Sequence, residues 1–392
     1  MKMRVDFVIV QHRDEIVISA RDSIDFTKEE AMSRKFLPEE VVVEILLRLP
    51  VKSLVRFRCV SKRWLSLISD PRFAKSQFKR AADHIQRLLF PTPFGLGSLE
   101  VDLPFGDSSA VRELFVPFKQ PNLRLNLLGS CDGLVFASHY DHKDFYIWNP
   151  STGEHRKLPD PGISPHPDNE YMYGFGYDSS IDDYKVIVTS FLPLRPSPGY
   201  VGKILSLKNN SWKSIKKPDD VFSSFRSAGA LCGGAVHWLG EVLRPEANLA
   251  ILAFDLAEEK FRQVPMLPML EGEDVDYYDI AYTCLVNLGG RLCLILLWHA
   301  DEELWGMMEY GVQKSWARMF RIDGDYGPKP LCMSRGNQLV ATNDDGNVLI
   351  RANPEGKIVE SCVFCIEQSP NWHEPSAVFV ESLLSPLFAL EF

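Results

Sequence analysis

The sequence predicts an α+β chain in two parts: a small three-helix unit near the N-terminus, then an all-β domain of propeller type. Three observations carry this. Residues 36–73 hold three short helical patterns in close succession. From about residue 86 onward, helical periodicity gives way to short β-branched and aromatic runs between Gly, Asp, Asn and Pro turns. Those runs recur as a unit of about fifty residues, the size of a four-stranded propeller blade.

Composition bounds the function. With 392 residues, 45% of them hydrophobic, the chain can bury a sizeable core and hold two domains. A net charge of −9 argues against a nucleic-acid partner. Eight cysteines lie scattered without framework spacing, which reads as a reducing compartment, cytoplasm or nucleus. The run VDFVIV is too short for a secretory signal and is interrupted by Asp6, and the longest apolar run, 292–298, is far below a membrane span. No membrane partner is therefore expected. Residues 1–35 are expected to form a flexible N-terminal extension; VDFVIV and EIVIS have strand character but no evident partner.

The helical unit begins at FLPEE. Pro38 suits the first helical position, and Glu39 and Glu40 suit the positive end of the helix dipole. Val41, Val42, Val43, Ile45, Leu46, Leu47 and Leu49 then cover more than one face, where a helix serving only its own core would show one stripe. Pro50 ends this helix. A second spans 51–60, and Ser61 can cap a third that carries Trp64, Leu65, Leu67 and Ile68. Asp70-Pro71 closes the unit. So small a unit shows more apolar surface than it can bury. It must pack on the rest of the chain or dock on a partner.

Over about forty positions this stretch resembles an F-box of the plant type: LPEE, then VEILLRLPVKSLVRFRCVSKRW, then LISDPRF. The resemblance implies binding to the SKP-type adaptor of a cullin–RING ubiquitin ligase. By match to the motif, the adaptor contacts are expected at Leu37, Pro38, Val43, Ile45, Leu46, Leu49, Pro50, Leu54, Val60 and Trp64. The F-box is placed at 36–73, and the helical spacing of 71–90 predicts a connecting helix over 74–90.

Residues 91–392 form the β-domain. Repeats are read at 126–159, 172–215, 228–265, 280–322 and 331–364. Residues 376–383 look like one inner strand, and 88–118 can supply three others, making a sixth blade closed by both termini. The alternative is an open β-sandwich. Here too a resemblance is visible. Asn149-Pro150-Ser151-Thr152-Gly153, Gly174-Phe175-Gly176-Tyr177-Asp178, Asp183-Tyr184-Lys185-Val186, Ser211-Trp212, Gly233-Gly234-Ala235-Val236-His237-Trp238 and Phe254-Asp255-Leu256 resemble, in that order, the F-box-associated domain of plant F-box proteins. That domain is kelch-like and implies substrate recruitment. Physically these pieces read as turns, caps and core aromatics.

Catalytic motifs are absent. Cys362-Val363-Phe364-Cys365 would send its sulfurs to opposite faces of a strand. His237 reads as a satisfied core histidine, and Lys213 to Lys217 as a solvated strand end. There is no Walker loop, no G-x-G-x-x-G and no G-x-S-x-G, so neither a catalytic residue, a metal nor a cofactor is expected.

Two functions stand against each other. The first is the substrate-recognition subunit of an SCF-type ligase, a non-catalytic receptor that holds the adaptor, and through it cullin and RING subunit, together with an unidentified target protein. The second is a propeller enzyme, of glycoside hydrolase or oxidase type, with a helical cap. An F-box protein acting outside a ligase is a third. The long segments 159–170, 192–200, 219–227, 241–248, 265–279 and 366–375 are expected on one face of the ring, the tight turns on the other. Target contacts are expected there at Tyr200, Arg244, Tyr277, Tyr278 and Trp372.

Overall fold

The computed structural model describes residues 7–12, 15–20, 38–80, 85–92, 95–107, 111–119, 125–139, 144–163, 169–191, 200–219, 222–224, 227–242, 248–268, 283–298, 301–322, 329–343, 348–363 and 377–387. The chain divides into two units, residues 1–84 with 382–384, which hold the helices and one two-stranded hairpin, and residues 85–381 with 385–392, which hold the other sheets.

The helical unit holds α1 (Glu39–Leu46), α2 (Val51–Phe57), α3 (Lys62–Ile68) and α4 (Pro71–Arg80). Pro38 sits one place earlier than expected, as the N-cap of α1 with ψ 147°, and Pro50 holds the same place before α2. An extended proline hands its carbonyl to the first turn while having no N–H to satisfy, which makes it a start signal for both helices. Ser61 caps α3, its Oγ accepting from the Trp64 N–H at 3.2 Å. The connecting helix is shorter and earlier than 74–90. α4 ends at Arg80, so the F-box boundary at 73 falls inside it, and Gln86–Thr92 is a strand. In the N-terminal extension, β1 (Phe7–His12) and β2 (Glu15–Ala20) pair antiparallel with one another. Each run is thus the partner that the other lacked in the sequence.

The sheet unit is a ring of six antiparallel sheets. Blade one is β6 (Leu125–Cys131), β7 (Leu134–His139), β8 (Phe145–Trp148) and β9 (His155–Lys157). Blade two is β10 (Glu170–Asp178), β11 (Asp183–Phe191), β12 (Val201–Ser206) and β13 (Ser211–Ser214). Blade three holds β14 (Phe222–Ser224), β15 (Ala230–Cys232), β16 (Ala235–Val242), β17 (Asn248–Asp255) and β18 (Lys260–Val264). Blade four is β19 (Cys284–Leu288), β20 (Arg291–Trp298), β21 (Asp301–Met307) and β22 (Trp316–Ile322). Blade five is β23 (Lys329–Met333), β24 (Leu339–Thr342), β25 (Val348–Ala352) and β26 (Ile358–Val363). The sixth sheet is composite: β27 (Ala377–Val380) pairs with β3 (Gln86–Thr92), followed by β4 (Gly95–Glu100) and β5 (Val111–Leu114). The inner strands touch in the cyclic order β27, β6, β10, β15, β19, β23 and back to β27, so the ring is closed and leaves no inner edge.

The cores lie between blades. Leu89, Val135, Ala137 and Trp148 join blades six and one. Ile187, Trp238, Leu252 and Phe254 join two and three. Ile251, Leu292, Leu294 and Trp316 join three and four. The inner and middle strands are therefore buried on both faces, β11 at all nine positions, while outer strands such as β13 and β26 are largely exposed. The hairpins between first and second strands turn on Asp132-Gly133, Gly233-Gly234 and Gly289-Gly290, each pair having positive φ at both residues. That is the I′ turn, whose twist matches the strands it joins.

Blade three departs from the pattern. Its inner strand is split into β14 and β15, both paired with β16. The chain between them leans onto blade two: Tyr173 N–H donates to Ser227 O at 2.7 Å, and Gly229 N–H donates to Tyr173 O at 2.9 Å. Gly229 permits this approach, because a Cβ there would come within 2.8 Å of the Trp238 indole.

Candidate interaction surfaces

The helical unit presents part of the expected apolar set and hides the rest. Val43, Ile45, Leu49 and Val60 are half-buried, Pro38 and Pro50 are exposed, and Val41 and Leu65 stand 41% and 47% exposed. Leu46, Leu54 and Trp64 are buried, so these three expected contacts offer no free surface; the helical spacing marks them as apolar without saying which way they face. Trp64 packs on Phe57 with ring centroids 5.1 Å apart. Leu37 lies outside the described residues. Ion pairs fix the outer faces: Arg63 to Glu39 and Arg80 to Glu44, both at 2.6 Å, each arginine holding its carboxylate below the usual range. All four groups are exposed, so they orient the helices more than they stabilise them.

In the propeller, alternation fixes two faces. Turns between first and second strands and between third and fourth lie on one face; the second-to-third turns and the links between blades lie on the other. Of the target contacts expected on that second face, Arg244, Tyr277, Tyr278 and Trp372 lie outside the described residues. Tyr200 is half-buried, one residue ahead of β12. It packs against the core between blades two and three, and its hydroxyl is enclosed without a hydrogen-bond partner. Burial pushes its pKa up. The hydroxyl is turned inward, while the residue as a whole is half-buried.

The recurring signature residues are scaffold. Asn149 Oδ1 accepts from Ser151 N at 2.7 Å, and Asp255 Oδ1 accepts from Ala257 N and Glu258 N at 3.0 Å, each closing a third-to-fourth turn. Lys185 Nζ donates to Asp178 at 2.7 Å, to Leu256 O at 2.6 Å and to Glu259 at 3.0 Å, tying blade two to blade three. Burial opposes the charge on Lys185, yet the two carboxylates hold its pKa above the ordinary value. His237 is a satisfied core histidine, as read from the sequence, with Ala230 O and Tyr310 Oη as its partners. Cys365 lies outside the described residues, and Cys362 is a half-buried free thiol. No group of three or more His, Cys, Asp or Glu able to hold a metal ion occurs among the described residues.

The chain thus combines a short helical unit with accessible apolar side chains and a six-bladed ring whose signature residues are structural. Comparison with known proteins gives the family. An F-box domain matches residues 36–76, and an F-box associated beta propeller domain matches 88–383. The F-box protein CPR1 of Arabidopsis thaliana is 33% identical over 346 residues, covering 81% of this chain and 80% of that protein. An Arabidopsis F-box/kelch-repeat protein is 30% identical over 334 residues, covering 80% and 87%. Among solved structures the chain is similar to TolB from Acinetobacter baumannii, with 11% identity, a TM-score of 0.42, and 70% of this chain and 62% of that one covered. The chain belongs to the F-box proteins whose F-box is followed by an F-box-associated propeller.

Proposed function

We infer that this chain is the substrate receptor of an SCF-type ubiquitin ligase, recruiting a target protein for ubiquitination and proteasomal degradation. The observation that carries the reading is the F-box match over 36–76 on a unit that leaves Val41, Val43, Ile45, Leu49 and Leu65 accessible. Those side chains suit a groove on a SKP-type adaptor. The propeller holds the target on the face of its long links. The chain makes and breaks no bond itself. It raises the effective concentration of target lysines near the charged conjugating enzyme that cullin and RING subunit bring. Its free cysteines, Cys59 exposed among them, suit the cytoplasm or nucleus.

The test is a pull-down of purified full chain by purified SKP adaptor, followed by ubiquitin transfer in a reconstituted ligase to proteins captured from native cells under proteasome inhibition. Adaptor binding and transfer to a captured protein are expected. A wild-type chain that does not bind the adaptor sinks the reading. No specific observation favours the propeller-enzyme alternative.

A further inference from the structure

The helical unit is not built from the N-terminal stretch alone. Ser382–Leu384 belongs to it, although the residues on either side belong to the sheet unit. Ser382, Leu383 and Leu384 are 0%, 1% and 3% exposed, at three successive positions without secondary structure. Irregular segments ordinarily run over a surface, so one buried at three residues in a row is packed as core is. Among the described residues, ten apolar side chains of the unit are buried, eight within 38–80 and two in this segment, Leu383 and Leu384. A unit of this size has little core to spare. The chain just ahead of the segment is held. β27 pairs with β3, Glu381 N–H donates to Ile85 O at 2.9 Å, and the Glu381 carboxylate lies 3.0 Å from Arg112 and 3.6 Å from the buried Arg87. Ile85 is the first residue after the helical unit, so the stretches that leave and re-enter that unit are hydrogen-bonded to each other.

We propose that Ser382–Leu384 is a strap that completes the F-box unit, so that adaptor binding is conditional on a finished, closed propeller. The assignment rests on the receptor reading above. β27, which closes the ring, lies directly ahead of the strap, with only Glu381 between them. The helices precede the propeller in sequence, yet part of their core comes from residues made almost last. A chain that lacks its C-terminus, or whose composite blade has not formed, does not hold Leu383 and Leu384 in the helical unit. Its F-box unit is then folded in only a fraction of the molecules, and adaptor affinity falls by that fraction. A receptor with an incomplete target-binding domain is thereby kept off the ligase.

The experiment compares the full chain with three variants: Leu383→Asp with Leu384→Asp, a deletion of 382–392, and Leu387→Asp at an exposed position beyond the strap. All three keep β27 and Glu381. Amide hydrogen exchange is read without adaptor, and adaptor affinity by titration. In the aspartate pair and in the deletion, the amides of α1–α4 should lose about tenfold or more of their protection, while those of β7, β11 and β16 keep theirs. Adaptor affinity should fall by a similar factor in both, and Leu387→Asp should match the wild type in both readouts. Helical amides protected as in the wild type, or an unchanged adaptor affinity, overturn the proposal. Protection lost in the blades as much as in the helices overturns it too, because the segment then serves the ring. A wild type that does not bind the adaptor sinks the receptor reading and the adaptor clause with it, while the exchange data still decide whether the strap completes the helical unit.

Discussion

Tyr310 donates a hydrogen bond to His237 across the boundary between blades three and four, Oη to Nε2 at 2.6 Å. The direction follows from the other ring nitrogen. Nδ1 faces Ala230 O at 3.1 Å, and a carbonyl only accepts, so Nδ1 carries the proton and Nε2 offers its lone pair. Tyr310 Oη in turn accepts from Arg262. Burial lowers the His237 pKa from 6.5 to about 4, and the charge of Arg262 adds to the effect.

A pH dependence follows. The unfolded chain binds a proton at His237 near pH 6.5, and the folded chain only near about 4. Between these values the unfolded state holds more protons, so stability falls as pH falls. The contribution is complete above pH 6.5 and is lost progressively towards about 4. Thermal melts of wild type and His237→Gln over this window should differ in slope by about one proton. Parallel curves would refute the assignment.

Tyr310→Phe removes the donor to His237 and the acceptor for Arg262 at once. A buried Nε2 left unpaired costs about 1–3 kcal/mol. Urea unfolding should show a loss of this size with an unchanged m-value.

In the helical unit, surface and interior should separate. Val43→Asp with Ile45→Asp, at half-buried positions, should abolish adaptor binding and leave the melt nearly unchanged. Leu54→Ala, fully buried, should cost about 2–5 kcal/mol and weaken adaptor binding only through unfolding. Isothermal titration and melting of both variants check this.

The composite sixth blade makes the C-terminal segment essential. Removing residues 377–392 strips β27 from β3 and takes Glu381 from the buried Arg87 at 3.6 Å. Exposed sheet edges and a buried cation with one partner fewer should give aggregation or a non-cooperative melt. A soluble truncation that melts like the wild type would contradict this.

Tyr200→Phe removes a buried hydroxyl that has no partner. The change should be neutral or stabilise by up to about 1 kcal/mol, and should leave target capture intact. A loss of capture with unchanged stability would return Tyr200 to the binding face.

Much of this molecule was legible because its signals are local. Two positive φ angles in succession are cheap only for residues such as the Gly233-Gly234 pair, so the hairpin turns announce themselves. Ser61 caps α3 within three residues of itself. What needed the tertiary structure depends on distant partners. Gln86–Thr92 sits between two blades, with Leu88 and Phe90 in one core and Leu89 in the next, and a run buried on both faces carries no period to tell strand from helix. Its partner β27 lies near the other end of the chain. Leu54 and Ile45 look alike in sequence, yet one is buried and the other half-exposed, since helical spacing does not say which neighbours arrive. Tyr200 reads as a loop aromatic, but Gly202 and the core of the next blade draw it inward. Turn chemistry and repeat length are written residue by residue; burial is decided by what packs from elsewhere in the ring.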